Sequence, residues 1–149
     1  MKGVFISELA ERGPRYKCDR KYEEEKRIMD CLSSSHEVAV HDHLWTVEEI
    51  LNGMDFLVTN MPFEECEIDT RLPKDIFYEK VYGKSYKCIE RICKNFPQIK
   101  VIVYTGADPD TCSIAEKHGI KNIIRRGRYG IDSEVNEILR IIGEMHGKQ

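Results

Sequence analysis

Short apolar runs alternate along the chain with segments in which apolar residues recur at helical spacing. Five of these runs have the length and composition of buried strands. The predicted strands are residues 4–7, 37–41, 56–59, 99–105 and 120–124. Strands of this kind, each followed by a helix, predict a parallel sheet with helices on both faces. The pattern therefore indicates an α/β fold with a doubly wound, five-stranded parallel sheet.

Five helices are predicted from the spacing of apolar residues and from their end signals. Ser and Thr caps, Pro at a first turn and Gly after a last turn mark helix ends. Thr46 and Glu49 form a capping box for the short second helix, and Asp108 caps the fourth. The predicted helices are residues 21–33, 46–53, 85–96, 108–119 and 133–145. The fifth buries Val135, Ile138, Leu139 and Ile142 and turns Glu134, Glu137, Arg140 and Glu144 outward.

The 149 residues are predicted to form one domain with two long connections, at about residues 8–20 and 63–84. Connections in α/β units usually have about 2 to 6 residues, so two longer ones indicate either a function or disorder. Both leave the carboxyl ends of strands. In an open sheet of this class, ligands bind at that edge, where the strand order reverses.

Composition narrows the class of protein. No apolar run approaches the length of about 20 residues that spans a bilayer, and no signal peptide is visible, so a soluble cytoplasmic protein without membrane contact is expected. The net charge of −3 arises from mixed signs and argues against a nucleic-acid partner. The six cysteines contain no CxxC pair, which predicts free buried thiols rather than a metal site.

Three strings near predicted strand ends carry a resemblance: MDFLVTNMP (residues 54–62), VIVYTG (101–106) and GIKNIIRRG (119–127). In order and spacing they resemble a response-regulator receiver domain, a flavodoxin-like (βα)5 three-layer sandwich. The resemblance implies that Ser7 and Glu8 stand at the family's acidic pair and Asn60 at its phosphoacceptor Asp. It likewise places Thr105 at the switch threonine and Arg126 at the lysine position.

The departures from the family pattern concern the phosphotransfer chemistry. An amide such as Asn60 cannot form an acyl phosphate, and Ser7 removes one carboxylate from the magnesium site. The sequence therefore predicts a degenerate pseudo-receiver that is no enzyme and holds neither cofactor nor metal. Its predicted function is phosphorylation-independent signalling through protein contacts. Receivers commonly dimerise, which implies a homodimer through the fourth helix, the fifth strand and the fifth helix.

An alternative function uses the same edge of the sheet as a small-molecule site. Arg12 and Arg15 in the first long connection, with Arg125 and Arg126 after the fifth strand, would surround one crevice. Arginine suits forked recognition of carboxylate or phosphate, so this cluster predicts binding of a small anion. The alternative is that these basic side chains bind no ligand and simply solvate a surface loop. The second long connection adds apolar side chains for a lid or a docking surface, with packing against its own domain as the default: Phe63, Phe77, Tyr78, Val81 and Tyr82.

Two further groups of ligand-forming residues have simpler explanations. His41, Asp42 and His43 alternate along an extended segment, and such residues rarely point together at one metal. The acidic run Glu64, Glu65, Glu67 and Asp69 is predicted to be a solvated surface, because no second motif fixes its geometry. No Gly-rich phosphate loop and no nucleophile with a diagnostic base is present.

Overall fold

The computed structural model describes residues 1–6, 20–41, 44–61, 73–105, 113, 116–125 and 130–147. Their strands form a five-stranded sheet in the order β2-β1-β3-β4-β5, and every neighbouring pair is parallel. The strands are β1 (Lys2–Ile6), β2 (Glu37–His41), β3 (Phe56–Met61), β4 (Lys100–Thr105) and β5 (Asn122–Arg125). The predicted doubly wound α/β class is confirmed. Strand β1 begins two residues before its predicted start, and β5 begins two residues after.

Apolar side chains fill both faces of this sheet, because successive residues of a strand point to opposite sides. On one face Val4, Leu57 and Val103 belong to a buried cluster with Ile89 and Ile92. On the other face Phe5, Val58 and Ile102 pack with residues of two helices, which contribute Ile28, Leu32, Ile138 and Ile142. The strands are therefore covered on both sides, as continuous apolar runs require.

The helices differ from their predicted bounds in informative ways. They are α1 (Arg20–Ser35), a 3-10 helix (Leu44–Ile50), α2 (Lys74–Asn95) and α3 (Ile131–Gly147). The predicted capping box is wrong, because Thr46 lies inside the 3-10 helix that starts at Leu44. Thr46 Oγ1 instead lies 2.7 Å from His41 Nε2, so its hydroxyl contacts the end of β2.

Helix α2 begins eleven residues before the predicted start at Ser85. The second long connection therefore ends at Pro73, and Phe77, Tyr78, Val81 and Tyr82 belong to a helix rather than to a loop. Gly83 concealed this helix, since glycine inside a helix costs about 1 kcal/mol relative to alanine. Tertiary packing outweighs that cost here, because Tyr86, Ile89 and Ile92 are fully buried farther along α2.

The predicted fourth helix lies partly outside the described residues. Ser113, Glu116 and Lys117 have helical backbone, and Gly119 follows them with a φ of +78°. A glycine with positive φ after a last turn is the usual helix end, so the predicted stop at Gly119 agrees with the backbone. Asp108 and Pro109, the predicted start signals, lie outside the described ranges.

The inward face of α3 matches its prediction with two exceptions. Val135, Ile138 and Ile142 are buried, while Leu139 is half-buried. Glu134 was predicted to face outward, and this is wrong: it is only 3% exposed. Arg140 is exposed and pairs with Glu137 one turn away, as expected for the outer side.

Candidate site at the carboxyl ends of the strands

The strand order reverses at β1, which pairs with β2 on one side and with β3 on the other. In doubly wound sheets this reversal opens a crevice at the carboxyl ends of the strands. The register shows which residues share that edge. Ile6 is level with Thr59, Asn60 with Tyr104, and Thr105 with both Met61 and Arg125. The last residues of β1, β3, β4 and β5 therefore share the edge at which such a crevice is expected.

Three of the predicted site residues lie together on this edge. Asn60 is the penultimate residue of β3, Thr105 is the last residue of β4, and Arg125 is the last residue of β5. Arg125 is half-buried. The other predicted members, Ser7, Glu8, Arg12, Arg15 and Arg126, lie outside the described residues.

A buried polar pair beside this edge was missed by the sequence reasoning. Tyr104 Oη donates a hydrogen bond of 2.8 Å to Glu134 Oε2, and both side chains are buried. Tyr104 is level with Asn60, so the pair joins the end of β4 to the first turn of α3. A second carboxylate, Glu25 of α1, is 2% exposed. No sequence signal distinguishes Glu25 and Glu134 from glutamates on the surface of a helix.

The start of α3 is also held by α1 at the surface. Arg27 Nε donates a hydrogen bond of 2.7 Å to Asp132 Oδ1. Both side chains are more than half exposed, so this pair stabilises the fold by at most about 1 kcal/mol. Together with the Tyr104 bond it ties the first turn of α3 to two other elements.

The suggested metal ligands of the HDH segment gain no support from geometry. His41 Nε2 contacts Thr46 Oγ1, while Asp42 and His43 lie outside the described residues. Across the described ranges, no three His, Cys, Asp or Glu side chains are grouped closely enough to hold a metal ion.

The described cysteines are free and differ in environment. Cys88 is buried, Cys31 is half-buried and Cys93 is exposed, so the prediction of buried thiols holds for Cys88 and is wrong for Cys93. Burial raises the pKa of the Cys88 thiol; nearby Arg91 lowers it, and Glu48 raises it. Cys88 Sγ donates to the Leu44 carbonyl oxygen at 3.6 Å, which anchors the 3-10 helix on α2.

At the opposite, amino-terminal edge of the sheet lies an open polar groove of about 650 Å³, lined in part by Lys2, His36 and Asp55. The Asp55 carboxylate accepts a hydrogen bond of 2.9 Å from the Lys2 backbone N–H. Partial burial lowers the pKa of His36, and the Met1 ammonium group lowers it further. Open parallel sheets bind ligands at the carboxyl ends of their strands. This groove lies at the amino ends, so it is not the expected ligand site.

Comparison with solved structures identifies the architecture. The fold is that of response-regulator receiver domains. A receiver-domain protein from Clostridium thermocellum has a TM-score of 0.58 and 17% identity, covering 99% of this chain and 98% of its own. A CheY-like receiver-domain protein from Methanospirillum hungatei has a TM-score of 0.60 and 12% identity, with coverage of 99% and 98%.

A third similar structure is the isolated receiver domain of RcsB from Salmonella enterica serovar Typhimurium, solved in the presence of the phosphomimetic BeF3⁻. Its TM-score is 0.60 at 14% identity, with coverage of 97% of this chain and 88% of its own. No protein-family model and no curated protein sequence matches the chain. The sequence identities are low, so the similarity shows the fold alone. The chemistry of the site has to be argued from the residues of this chain.

None of the helices in the described ranges has both the length and the apolar character needed to cross a bilayer.

Proposed function

We propose that this protein is a pseudo-receiver, a signalling module that regulates partner proteins by contact and without phosphorylation. The observation that carries this proposal is the place of Asn60, at the carboxyl end of the central strand of a receiver fold. A receiver needs a carboxylate nucleophile at this position, and an amide is chemically unable to replace it. The resemblance implies that Thr105 stands at the switch threonine position, so the proposed module would keep this part of a receiver site without its acceptor.

A phosphorylation assay with intact-mass measurement tests the proposal. The wild-type protein, incubated with acetyl phosphate and Mg²⁺, should gain no phosphate, whereas a receiver domain with an acceptor Asp should gain one under the same conditions. The Asn60→Asp variant is the matched comparison, because it restores only the carboxylate. A labile adduct on an aspartate of the wild-type chain would contradict the proposal.

The proposed partner contact includes a second copy of the chain. A symmetric homodimer would use the predicted fourth helix, β5 and the outer side of α3, so that each patch meets its copy. Arg140 and Glu137 lie on that outer side. Sedimentation at tens of micromolar protein should show the dimer, and a monomer would count against it.

We further propose that the protein acts in the cytoplasm.

A small-anion site is the second candidate function, and the position of Arg125 favours it. Arg125 ends β5 level with Thr105, and it is therefore at the crevice edge. Bound ligand stabilises a fold by about 2.7 kcal/mol at a hundredfold excess over Kd. In a thermal-shift screen of anionic metabolites, a rise in melting temperature that is lost in Arg126→Ala would favour this candidate over the pseudo-receiver.

A further inference from the structure

The outer edge of the sheet at β2 has an unusual composition. Strand β2 is the first in the sheet order, and among the described residues no strand pairs with its outer side. Its sequence is Glu-Val-Ala-Val-His, with the apolar residues at the centre and the polar ones at the ends. Ala39 is exposed, and Val40 is an exposed large apolar side chain at 37%. Edge strands normally carry central charges or prolines that prevent pairing with another strand, and this one does not.

The hydrogen bonds of β2 show which of its backbone groups face outward. The Glu37 N–H donates to the Met1 carbonyl at 3.0 Å, so the backbone groups of Glu37 point toward β1. Because backbone direction alternates along a strand, those of Ala39 and His41 also point toward β1. The N–H and C=O groups of Val38 and Val40 therefore point away from the sheet.

An antiparallel pairing of two β2 strands about Ala39 satisfies all four outward groups. In this register Val38 lies opposite Val40 of the second copy, and Val40 opposite Val38. Each such pair exchanges two backbone hydrogen bonds, and symmetry provides both pairs. Ala39 then faces its own copy across the two-fold axis, where two small side chains fit without a clash.

The side chains at the ends of β2 are complementary in the same register. Glu37 lies opposite His41 of the second copy, and this is a pair without backbone hydrogen bonds, the type in which side chains are closest. The Glu37 carboxylate can only accept hydrogen bonds. His41 Nε2 already contacts Thr46 Oγ1 at 2.7 Å, so the other ring nitrogen, Nδ1, would supply the N–H donor for this pair. The Glu37 side chain is 75% exposed, and its ion pair within the described ranges is a 3.8 Å contact to Lys2 Nζ, so it is accessible to a second copy.

We propose that the outer edge of β2 binds the same edge of a second copy, which joins two sheets into one ten-stranded sheet. This contact goes beyond the proposed function. It uses β2, whereas the proposed homodimer uses β5, and these are the two outer strands of the described sheet. Either contact alone gives a dimer, whereas a chain that makes both forms an assembly larger than a dimer. The β2 contact requires no ligand and no phosphorylation, because its donors and acceptors are backbone groups already in place.

Site-specific crosslinking tests the register. In the Ala39→Cys variant the two Cα atoms are expected about 4.5 Å apart, which is within disulfide range. Mild oxidation should therefore give a dimer whose linking peptide, mapped by mass spectrometry, joins position 39 to position 39. The matched control is Glu37→Cys, whose copies would lie about 13 Å apart in this register. Equal crosslinking of the two variants, or none in either, overturns the proposal.

Charge exchange provides a second, non-covalent test by sedimentation. Glu37→Lys and His41→Glu should each raise the dimer dissociation constant at least about tenfold, since the altered pair occurs twice in the dimer. The double variant restores opposite charges and should recover association. Circular dichroism verifies that each variant is folded.

Glu116→Lys is the control for net charge. It alters the net charge of the chain by the same amount as Glu37→Lys, but it lies in the segment that precedes β5. If only Glu116→Lys weakens association, the contact is at the β5 side and the β2 proposal is wrong. A wild-type protein that is monomeric at hundreds of micromolar also contradicts it. These outcomes leave the phosphorylation test of the proposed function unaffected.

Discussion

Tyr104 and Glu134 form a buried hydrogen bond of 2.8 Å between the end of β4 and the first turn of α3. The two residues are thirty positions apart in the chain, and Glu134 retains only 3% of its exposure. A buried carboxylate is tolerated only when it is hydrogen-bonded. This bond therefore ties the first turn of α3 to the carboxyl-terminal part of β4.

Loss of the Tyr104 hydroxyl should destabilise the fold. Tyr104→Phe keeps the ring but removes a donor from a buried carboxylate, which costs about 1 to 3 kcal/mol. Urea denaturation should report this loss in the free energy of unfolding. The control is Glu137→Ala on the outer side of the same helix, where a change within about 0.5 kcal/mol is expected. Equal effects from the two variants would show that the buried bond has no special role.

Gly3 is required because the ring of Phe56 occupies the space of a side chain. A Cβ atom at Gly3 would lie 2.1 Å from Phe56 Cε2, so the fully buried Phe56 ring or the backbone around it would have to move. Gly3→Ala should therefore lower the free energy of unfolding by about 1 to 3 kcal/mol.

The same substitution at Gly143 is the matched control for Gly3. A Cβ atom there meets nothing within 4 Å, so Gly143→Ala should stabilise α3 by about 0.5 to 1 kcal/mol. Opposite signs for the two alanine variants in thermal denaturation are the expected result. If Gly3→Ala is neutral, the close approach of Phe56 is not a constraint.

His36 should make the fold less stable in mild acid. Its pKa is lowered in the folded protein, chiefly by burial and then by the Met1 ammonium group. The unfolded chain, with a pKa of 6.5, therefore binds the proton more tightly. The contribution of His36 to the free energy of unfolding is therefore fully present above pH 6.5. It is lost as the pH falls through 6.5 toward the lower pKa of the folded protein.

Replacement of His36 isolates this contribution. Wild type and His36→Gln should be compared by denaturant midpoint between about pH 7.5 and pH 5. The wild-type midpoint should fall more steeply on acidification, because only the wild type has this proton to bind on unfolding. Parallel curves for the two proteins would remove His36 as the cause.

The cysteines should react with alkylating reagents in the order of their exposure. Cys88 is 3% exposed, so reagents cannot reach its thiol. Desolvation raises the pKa of both the Cys88 and the Cys93 thiols, so accessibility rather than pKa separates their reactivity. Cys93, on the same helix, is exposed. Peptide mapping after brief iodoacetamide treatment should show modification of Cys93 before Cys88, and denaturation should abolish the difference. Early modification of Cys88 in folded protein would contradict its burial.

The local pattern was sufficient for the strands and for the site frame. Apolar runs bounded by turns predicted all five strands. The register puts Asn60 and Thr105 near the carboxyl ends of neighbouring strands, while their roles in a site stay predictions. Whether the first-loop arginines join them stays a prediction, since Arg12 and Arg15 lie outside the described residues. The residue type at position 60, on which the pseudo-receiver proposal rests, is read from the sequence alone.

Tertiary structure decided the features that depend on distant residues. The start of α2 at Lys74 was not predictable across Gly83, because local propensity disfavours a helix that packing on the sheet sustains. Glu134 looked like a surface residue, since only the docking of α3 on β4 brings Tyr104 within reach of its carboxylate. The outward direction of the Val38 and Val40 backbone groups likewise follows from the pairing of β2 with β1. Spacing along the chain specifies which face a residue occupies, but only the assembled sheet specifies what that face meets.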